Sequence, residues 1–229
     1  MDDDFKYIEF TNFDLDDLYK TNIIMAKENF TIKKITKTEA SEIILKYHYL
    51  KDISKSFKSG YNYGLFKQNN LIGVIIYNGF PVPELVKGMF GLERNQQKGM
   101  FELSRLCLHP KIQKEEHNLA SWFVARSIKL LRTETEVRVI LSYADNDFHS
   151  GIVYRACNFD YYGLTEKRKD FWIKQSDGTY LKHSRGKTKH LDGEWRTRSQ
   201  KHRYVMMFDK SLSIKWIKQS WKYNVSCNV

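Results

Sequence analysis

The feature that most constrains the fold is a strand–helix–strand pattern between residues 101 and 145. FELSRLCLHP (101–110) alternates apolar and polar residues and stops at a proline, which is typical of a strand. NLASWFVARSIKLLR (118–132) has one apolar helical face, and VRVILSYAD (137–145) is apolar enough for a strand covered on both faces. Strands joined through a helix form a right-handed crossover between parallel neighbours. The segment therefore predicts an α/β fold.

The flanking sequence extends this unit into a mixed central β-sheet flanked by helices. Thr36 and Glu39 have the spacing of a capping box, which predicts a helix through about Tyr47. Further strands are predicted at 30–36, 62–67, 71–79, 160–164 and 203–208, a short helix at 151–159, and a hairpin turning at Asp177-Gly178. Residues 80–100, 111–117 and 183–203 are predicted to be mostly loop, and 212–221 a terminal helix.

The sequence predicts one domain with an appendage. Its 229 residues are enough for a full core, and no apolar run approaches the roughly 20 residues that cross a bilayer. We divide it into an acidic N-terminal segment (1–29), a central α/β core (30–164) and a C-terminal extension (165–229) that completes the sheet. The N-terminus lacks the pattern of a signal peptide, so a cytoplasmic protein with no membrane partner is expected.

Positive charge is concentrated in the C-terminal extension. Residues 1–164 contain 22 Lys/Arg and 21 Asp/Glu, whereas residues 165–229 contain 16 and 6. A basic segment on a near-neutral body suits binding to a nucleic-acid backbone, although a solvated surface without a partner would have the same composition. The three cysteines form no CxxC pair and suggest neither a disulfide framework nor a zinc site.

Polar residues cluster at three places, two on strands and one at the end of the first predicted helix, and ligands of open α/β sheets collect at the carboxyl ends of strands. Glu102 and Ser104 share one face of their strand by the period-two rule, with Arg105 on the other. The next strand ends with Ser142-Tyr143-Ala144-Asp145, where Asp145 either caps a helix or accepts a proton or orients an amine. Tyr47-His48-Tyr49 suits acid–base chemistry or base stacking, or simply packs on the sheet.

These clusters also carry a family resemblance. HYL (48–50), ELSRLCLHP (102–110), NLASWFVARSIKLLR (118–132), SYAD with HSGIVYRACNFDYYGLT (142–165) and KHRYVMMF (201–208) together resemble the Mom family of phage adenine-modification proteins. That family is similar to GNAT acyltransferases. Its members convert adenine in double-stranded DNA into a carbamoylmethyl (acetamido-type) derivative on the exocyclic amine, which protects phage DNA from host restriction.

The resemblance implies specific roles. The implied catalytic residues are His48, Tyr49, Arg105, Asp145 and Tyr154. Ser104, Asn118 and Ser121 fall where a GNAT protein holds its donor, an acyl-CoA or related molecule. Iron with His48 as a ligand is also implied. The basic region is expected to bind DNA through Arg196, Arg198, Lys201, His202 and Arg203. The oligomeric state stays open, a dimer among the options.

One departure from the GNAT pattern bears on the donor. GNAT enzymes typically have a glycine-containing loop before the central helix, which lets the backbone approach a pyrophosphate. HPKIQKEEHNLAS has no glycine and contains Glu115 and Glu116, which would repel a diphosphate. Two other functions stay open: an N-acyltransferase acting on a protein or small-molecule amine, which the missing loop and basic extension oppose, and a non-catalytic DNA-binding protein on the same fold.

Overall fold

The computed structural model describes residues 24–27, 29–48, 57–183 and 186–221. The strands are β1 (Ile24–Lys27), β2 (Phe30–Lys34), β3 (Tyr61–Lys67), β4 (Asn70–Gly79), β5 (Met100–Leu108), β6 (Val139–Asp145), β7 (Asp160–Leu164), β8 (Arg168–Lys174), β9 (Tyr180–Lys182), β10 (Gly193–Arg198) and β11 (Lys201–Met207). The helices are α1 (Lys37–Tyr47), α2 (Pro83–Phe90), α3 (Pro110–Glu115), α4 (Leu119–Glu134) and α5 (Ile152–Ala156), with a 3₁₀ turn at Arg94–Gln96. The predicted mixed α/β fold is confirmed. Residues 1–23 and Tyr49 lie outside the described residues.

Eight of these strands form the main sheet, in the order β1-β2-β3-β4-β5-β6-β11-β7. Every neighbouring pair is antiparallel except β5 and β6, which are parallel and joined through α3 and α4. The predicted strand–helix–strand unit is therefore confirmed as the parallel centre of the sheet. β11 comes from the C-terminal extension and lies between β6 and β7. The other three strands form a separate antiparallel sheet in the order β10-β8-β9.

Helices cover both faces of the main sheet. On β4, Val74 and Ile76 pack with α1, whereas Ile75 and Tyr77 pack into the cluster that contains the buried side of α4. Val139 and Leu141 of β6 pack with α2. Because side chains alternate along a strand, α1 and α2 cover one side of the sheet and α4 the other. We call these sides the α1 face and the α4 face.

The predicted capping box is present and fixes the start of α1. The Thr36 hydroxyl accepts from the Glu39 backbone N–H at 3.2 Å, and the Glu39 carboxylate accepts from the Thr36 N–H at 2.7 Å. The helix ends at its C-cap, His48, whose N–H donates to the Ile44 carbonyl at 3.0 Å. Side chains of α1 pack on β4 and β5, so the end of the helix places His48 next to the sheet.

Four local predictions were wrong. The expected loop at 80–100 contains α2, which starts with a proline and ends at Gly91 in the left-handed region (φ 74°), and the polar stretch after Pro110 forms α3. The expected loop at 183–203 contains β10. Residues 212–221, expected to form a terminal helix, are irregular. Leu212, Ile214 and Trp216, at every second position, pack against the cluster under α2, and a spacing of two suits an extended chain. Within the described residues, no helix combines the length and apolar character needed to span a membrane.

Candidate functional site

The site begins where the two parallel strands separate. β5 and β6 pair from Met100 with Val139 to Leu103 with Ser142, and beyond that register each continues without the other. The buried Ser142 hydroxyl donates to the Leu103 carbonyl at 3.0 Å, at the last paired position. A cleft therefore opens at the carboxyl ends of β5 and β6, the position where ligands of α/β sheets bind.

A β-bulge on β5 sets which side chains enter this cleft. β4 residues Ile76 and Tyr77 pair with Arg105 and Leu103, so Ser104 is the extra residue. The bulge shifts the alternation by one, and Cys107 packs with α1 although Leu103 packs on the α4 face. The prediction that Arg105 points away from Glu102 and Ser104 was wrong, because the period-two rule fails across a bulge.

Glu102, Ser104 and Arg105 instead line one cavity of about 200 Å³. Its remaining walls are Phe57, Lys58, Asn78, Gly79, Phe80 and Pro81. The Ser104 hydroxyl accepts from the Asn78 side-chain amide at 2.7 Å and donates to the Ile76 carbonyl at 3.2 Å. Pockets for small molecules usually measure about 300–1,000 Å³, so this smaller cavity suits one small group better than a whole cofactor.

His48, at the end of α1, is close enough to Arg105, which lines this cavity, for the two charges to interact. Its side chain is buried, and burial, followed by the positive charges of Arg105 and His149, lowers the pKa of His48 to about 4. Burial also lowers the pKa of His149, while the nearby Asp145 carboxylate acts in the opposite direction. His48 is therefore neutral at pH 7 and can accept a proton or a hydrogen bond.

Asp145 is the last residue of β6 and is buried. Its carboxylate accepts a hydrogen bond from the Ser199 hydroxyl and another from the Asp147 N–H at 3.2 Å. The helix cap considered from the sequence is not its role, since the next helix, α5, begins after Gly151. Asp145 instead holds the turn that carries His149, whose N–H donates to the Asp145 carbonyl at 2.9 Å.

A second carboxylate and a lysine complete the polar cluster. Lys201 pairs in register with Asp145, and burial lowers the pKa of Lys201, with the charge of Arg198 next in effect. Burial raises the pKa of Glu102, opposed by the charges of Lys201 and Arg105. The structure therefore places Lys201, which the sequence assigned to DNA, among the carboxylates of the cleft.

Tyr154 is not brought into this cluster. Its ring lies 5.3 Å from that of Tyr204 and 5.7 Å from that of Phe159, in the core on the α4 face. His202, in register with Ala144, also belongs to that face, and its Nδ1 lies 2.8 Å from the Tyr161 hydroxyl.

The residues expected to hold the donor are also dispersed. Asn118 is the N-cap of α4, with φ 58°, and makes no side-chain cap hydrogen bond. The Ser121 hydroxyl donates to the Asn118 carbonyl at 3.0 Å. Glu116, in the glycine-free loop, pairs with Lys67 at 3.1 Å. Ser104 alone of the three expected donor residues lines the cavity.

The remaining basic residues fall into two environments. The Arg203 guanidinium donates to the Tyr162 carbonyl at 2.6 Å and lies 4.5 Å from the Trp216 ring, so it is part of the packed sheet. Arg196 and Arg198 lie on β10 in the separate three-stranded sheet.

The iron expected from the resemblance is not supported by the donor set around His48. Across residues 24–27, 29–48, 57–183 and 186–221, no three His, Cys, Asp or Glu side chains are grouped to hold a metal ion. The charges that act on His48 come from Arg105 and His149, and a cationic guanidinium repels a metal cation.

Sequence reasoning missed Ser199 and the role of Lys201. Both come from the C-terminal extension, far along the chain from β6, and their proximity to Asp145 depends on the insertion of β11 beside β6. A polar stretch carries no local signal for such a pairing.

Comparisons with known proteins bear on the family. The chain is similar to an acetyltransferase from Bacillus subtilis in complex with CoA (13% identity, TM-score 0.46, 80% of this chain and 99% of that one). It is also similar to the ribosomal-protein-S18-alanine N-acetyltransferase of Escherichia coli (12%, 0.47, 79% and 94%). A GNAT family acetyltransferase from Elizabethkingia anophelis with acetyl-CoA bound is similar too (15%, 0.46, 80% and 100%). No curated protein sequence matches. The model of the Mom protein family matches residues 29–224, most of the chain. The resemblance to the Mom family that the sequence indicated is confirmed, and the chain belongs to the Mom protein family.

Proposed function

We propose that this protein modifies adenine in double-stranded DNA by attaching a carbamoylmethyl group to the exocyclic amine. The observation that most directly supports this proposal is that His48, Arg105 and Asp145, which come from three different elements, converge around one cleft and its cavity. Membership in the Mom family supplies the reaction class. Protection of phage DNA from host restriction is the expected biological outcome.

The reaction requires help for the nucleophile. An exocyclic amine is a poor nucleophile because its lone pair is delocalised into the ring, so proton removal must accompany attack. The N–C bond forms at the methylene carbon of the donor, the bond from that carbon to its leaving group breaks, and the amine loses one proton. Asp145 is the proposed acceptor of that proton, since its carboxylate is buried and oriented by Ser199 and Asp147.

Arg105 and His48 have complementary roles in the proposal. Arg105 lines the cavity and would stabilise negative charge that develops on the leaving group or on the donor carbonyl. His48 is neutral and would accept a hydrogen bond from the base or donor. An adenine must leave the duplex stack to reach them, which costs a few kcal/mol.

The donor is expected to be electrophilic at its methylene carbon. A simple acyl-CoA thioester reacts at its carbonyl and would leave an N-acyl group, a different product. The stretch before α4 has no glycine to let a diphosphate approach the backbone closely, and its carboxylates Glu115 and Glu116, each paired with a lysine, provide no attraction for one. We therefore favour an activated carbamoylmethyl donor over acetyl-CoA.

Nucleoside analysis tests the proposal directly. DNA from cells that express the protein is digested and its nucleosides are resolved by mass spectrometry. Wild type should produce a heavier deoxyadenosine of carbamoylmethyl mass, and Asp145→Asn should reduce its yield by about 10²–10⁴-fold, the usual contribution of a general base. Asp147→Asn is the matched control, because Asp147 is exposed and contributes only its backbone N–H to Asp145.

Each alternative has its own outcome. Unmodified DNA together with an acetylated protein or metabolite would identify an N-acyltransferase and refute the proposal. Unmodified nucleosides with tight, salt-sensitive DNA binding would identify a binding protein. An N-acetyl deoxyadenosine would keep the DNA substrate and overturn the proposed donor.

A further inference from the structure

The three-stranded sheet β8–β9–β10, which we call the arm, has two different faces. Register pairs Arg198 with Arg168, Arg196 with Asp170 and Trp172 with Lys182, so these side chains share one face. That face carries five cations and two carboxylates: Arg168, Lys174, Lys182, Arg196 and Arg198, with Asp170 and Glu194. The opposite face carries Phe171, Ile173, Leu181 and Trp195. Lys169 is the one cation of these strands on that opposite face, so five of their six cations lie on one side of the arm.

Arg196 is held across this basic face by aromatic rings. Its guanidinium carbon lies 5.0 Å from the Trp172 ring centroid and 4.3 Å from that of Tyr180, and its Nε pairs with Glu194. Because the strand order is β10-β8-β9, the side chain reaches over the whole width of the arm. A stacked guanidinium loses less freedom when it binds a phosphate than a loose one does.

Two further arginines face each other directly. Arg168 and Arg198 are cross-strand partners, and like charges at opposed positions destabilise a sheet. In the described part of the chain, Arg168 forms an ion pair with the exposed Glu166, at 3.3 Å, and no ion pair involves Arg198. An anion bound between the two guanidinium groups would remove their repulsion. The pair is therefore suited to a phosphate.

The arm meets the cleft at its arginine end. Arg198 is three residues from Lys201, about 10 Å of extended chain, and its charge acts on both Lys201 and Tyr143. Between them, Ser199 donates to the Asp145 carboxylate. A backbone phosphate at Arg198 would thus lie within a few nucleotides of the cavity.

From these observations we infer that the basic face of the arm binds the phosphate backbone of duplex DNA beside the cleft, an inference that rests on the proposed function. The major groove admits a two-stranded β-ribbon such as the one that β8 and β10 form, and the arginines of these strands would contact the flanking phosphates. The five DNA contacts expected from the sequence are accordingly divided. Arg196 and Arg198 bind DNA together with Arg168. Lys201 instead lies among the carboxylates of the cleft, and His202 and Arg203 make contacts within the main sheet.

Binding of a labelled mixed-sequence duplex, followed by fluorescence anisotropy at several salt concentrations, tests the arm. Arg168→Gln and Arg198→Gln should each lower the slope of log affinity against log salt by about 0.9, and weaken binding roughly tenfold near 0.1 M salt. Lys169→Gln removes the same charge from the same strand on the opposite face, and should leave both quantities close to wild type. All three side chains are exposed, so folding should be preserved.

The outcomes distinguish a failure of the proposed DNA substrate from a failure of the role inferred for the arm. If wild type binds no duplex, the proposed DNA substrate fails, and the arm inference fails with it. If wild type binds and yields modified deoxyadenosine but the two arginine variants behave like Lys169→Gln, only the arm inference is overturned. A slope lowered in the two arginine variants but not in Lys169→Gln supports it.

Discussion

Acidification should destabilise this protein through His48. The folded-state pKa of His48 is about 4, set by burial and then by Arg105 and His149, whereas an unfolded histidine titrates near 6.5. Between these values the unfolded chain binds more protons, so the free energy of unfolding falls as pH falls through this window and is unaffected well above it. The difference of roughly 2.5 pKa units corresponds to about 3 kcal/mol when the window has been crossed.

Urea denaturation of wild type and His48→Gln at several pH values between 7 and 4 measures this effect. The variant should lose less stability over the window, by up to the same ~3 kcal/mol, because glutamine does not titrate. His149 and His202 also have pKa values lowered by burial, but they remain in both proteins. Exposed His117→Gln is the control and should follow wild type. Parallel pH profiles for His48→Gln and wild type would refute the reasoning.

Three further outcomes are expected. Gly151→Ala should lower stability by about 1–3 kcal/mol in urea denaturation, because Gly151 has φ 76° and an added Cβ would lie 2.6 Å from the Tyr204 ring. Thr36→Ala removes the α1 cap and should lower stability by about 1 kcal/mol in the same assay. Cys107 and Cys157 should react with a thiol reagent only on unfolding, as read by peptide mass spectrometry, because burial raises the pKa of each thiol to about 12.

The central fold was predictable because it is encoded locally. The apolar pattern of 137–145, the helical face of 118–132 and the Thr36–Glu39 box each describe contacts within or next to one element. The parallel β5–β6 pair follows from the helix between the two strands. Asp145 at the end of β6 was identified for the same reason.

The rest of the site depends on irregularities and distant pairing. The bulge at Ser104 moves Arg105 to the α1 face, and nothing in FELSRLCLHP distinguishes a bulged strand from a regular one. The position of Tyr154 on the α4 face follows from the packing of α5, set by Tyr204 from the distant β11. Local sequence reports spacing along the chain, whereas these placements are set by contacts between elements.

The direction of β11 explains why the basic extension lies beside the cleft. An antiparallel strand enters at its neighbour's carboxyl end, so residues that precede β11 must lie where β6 ends, at Asp145. β7 is antiparallel to β11 and hence runs with β6, so it also leaves the sheet at that edge, and Thr165 and Lys201 are joined there by backbone hydrogen bonding at 2.8 Å. Both connections to the arm therefore cross the carboxyl edge. A parallel β11 would have placed the arm's arginines at the opposite edge of the sheet, away from His48, Arg105 and Asp145.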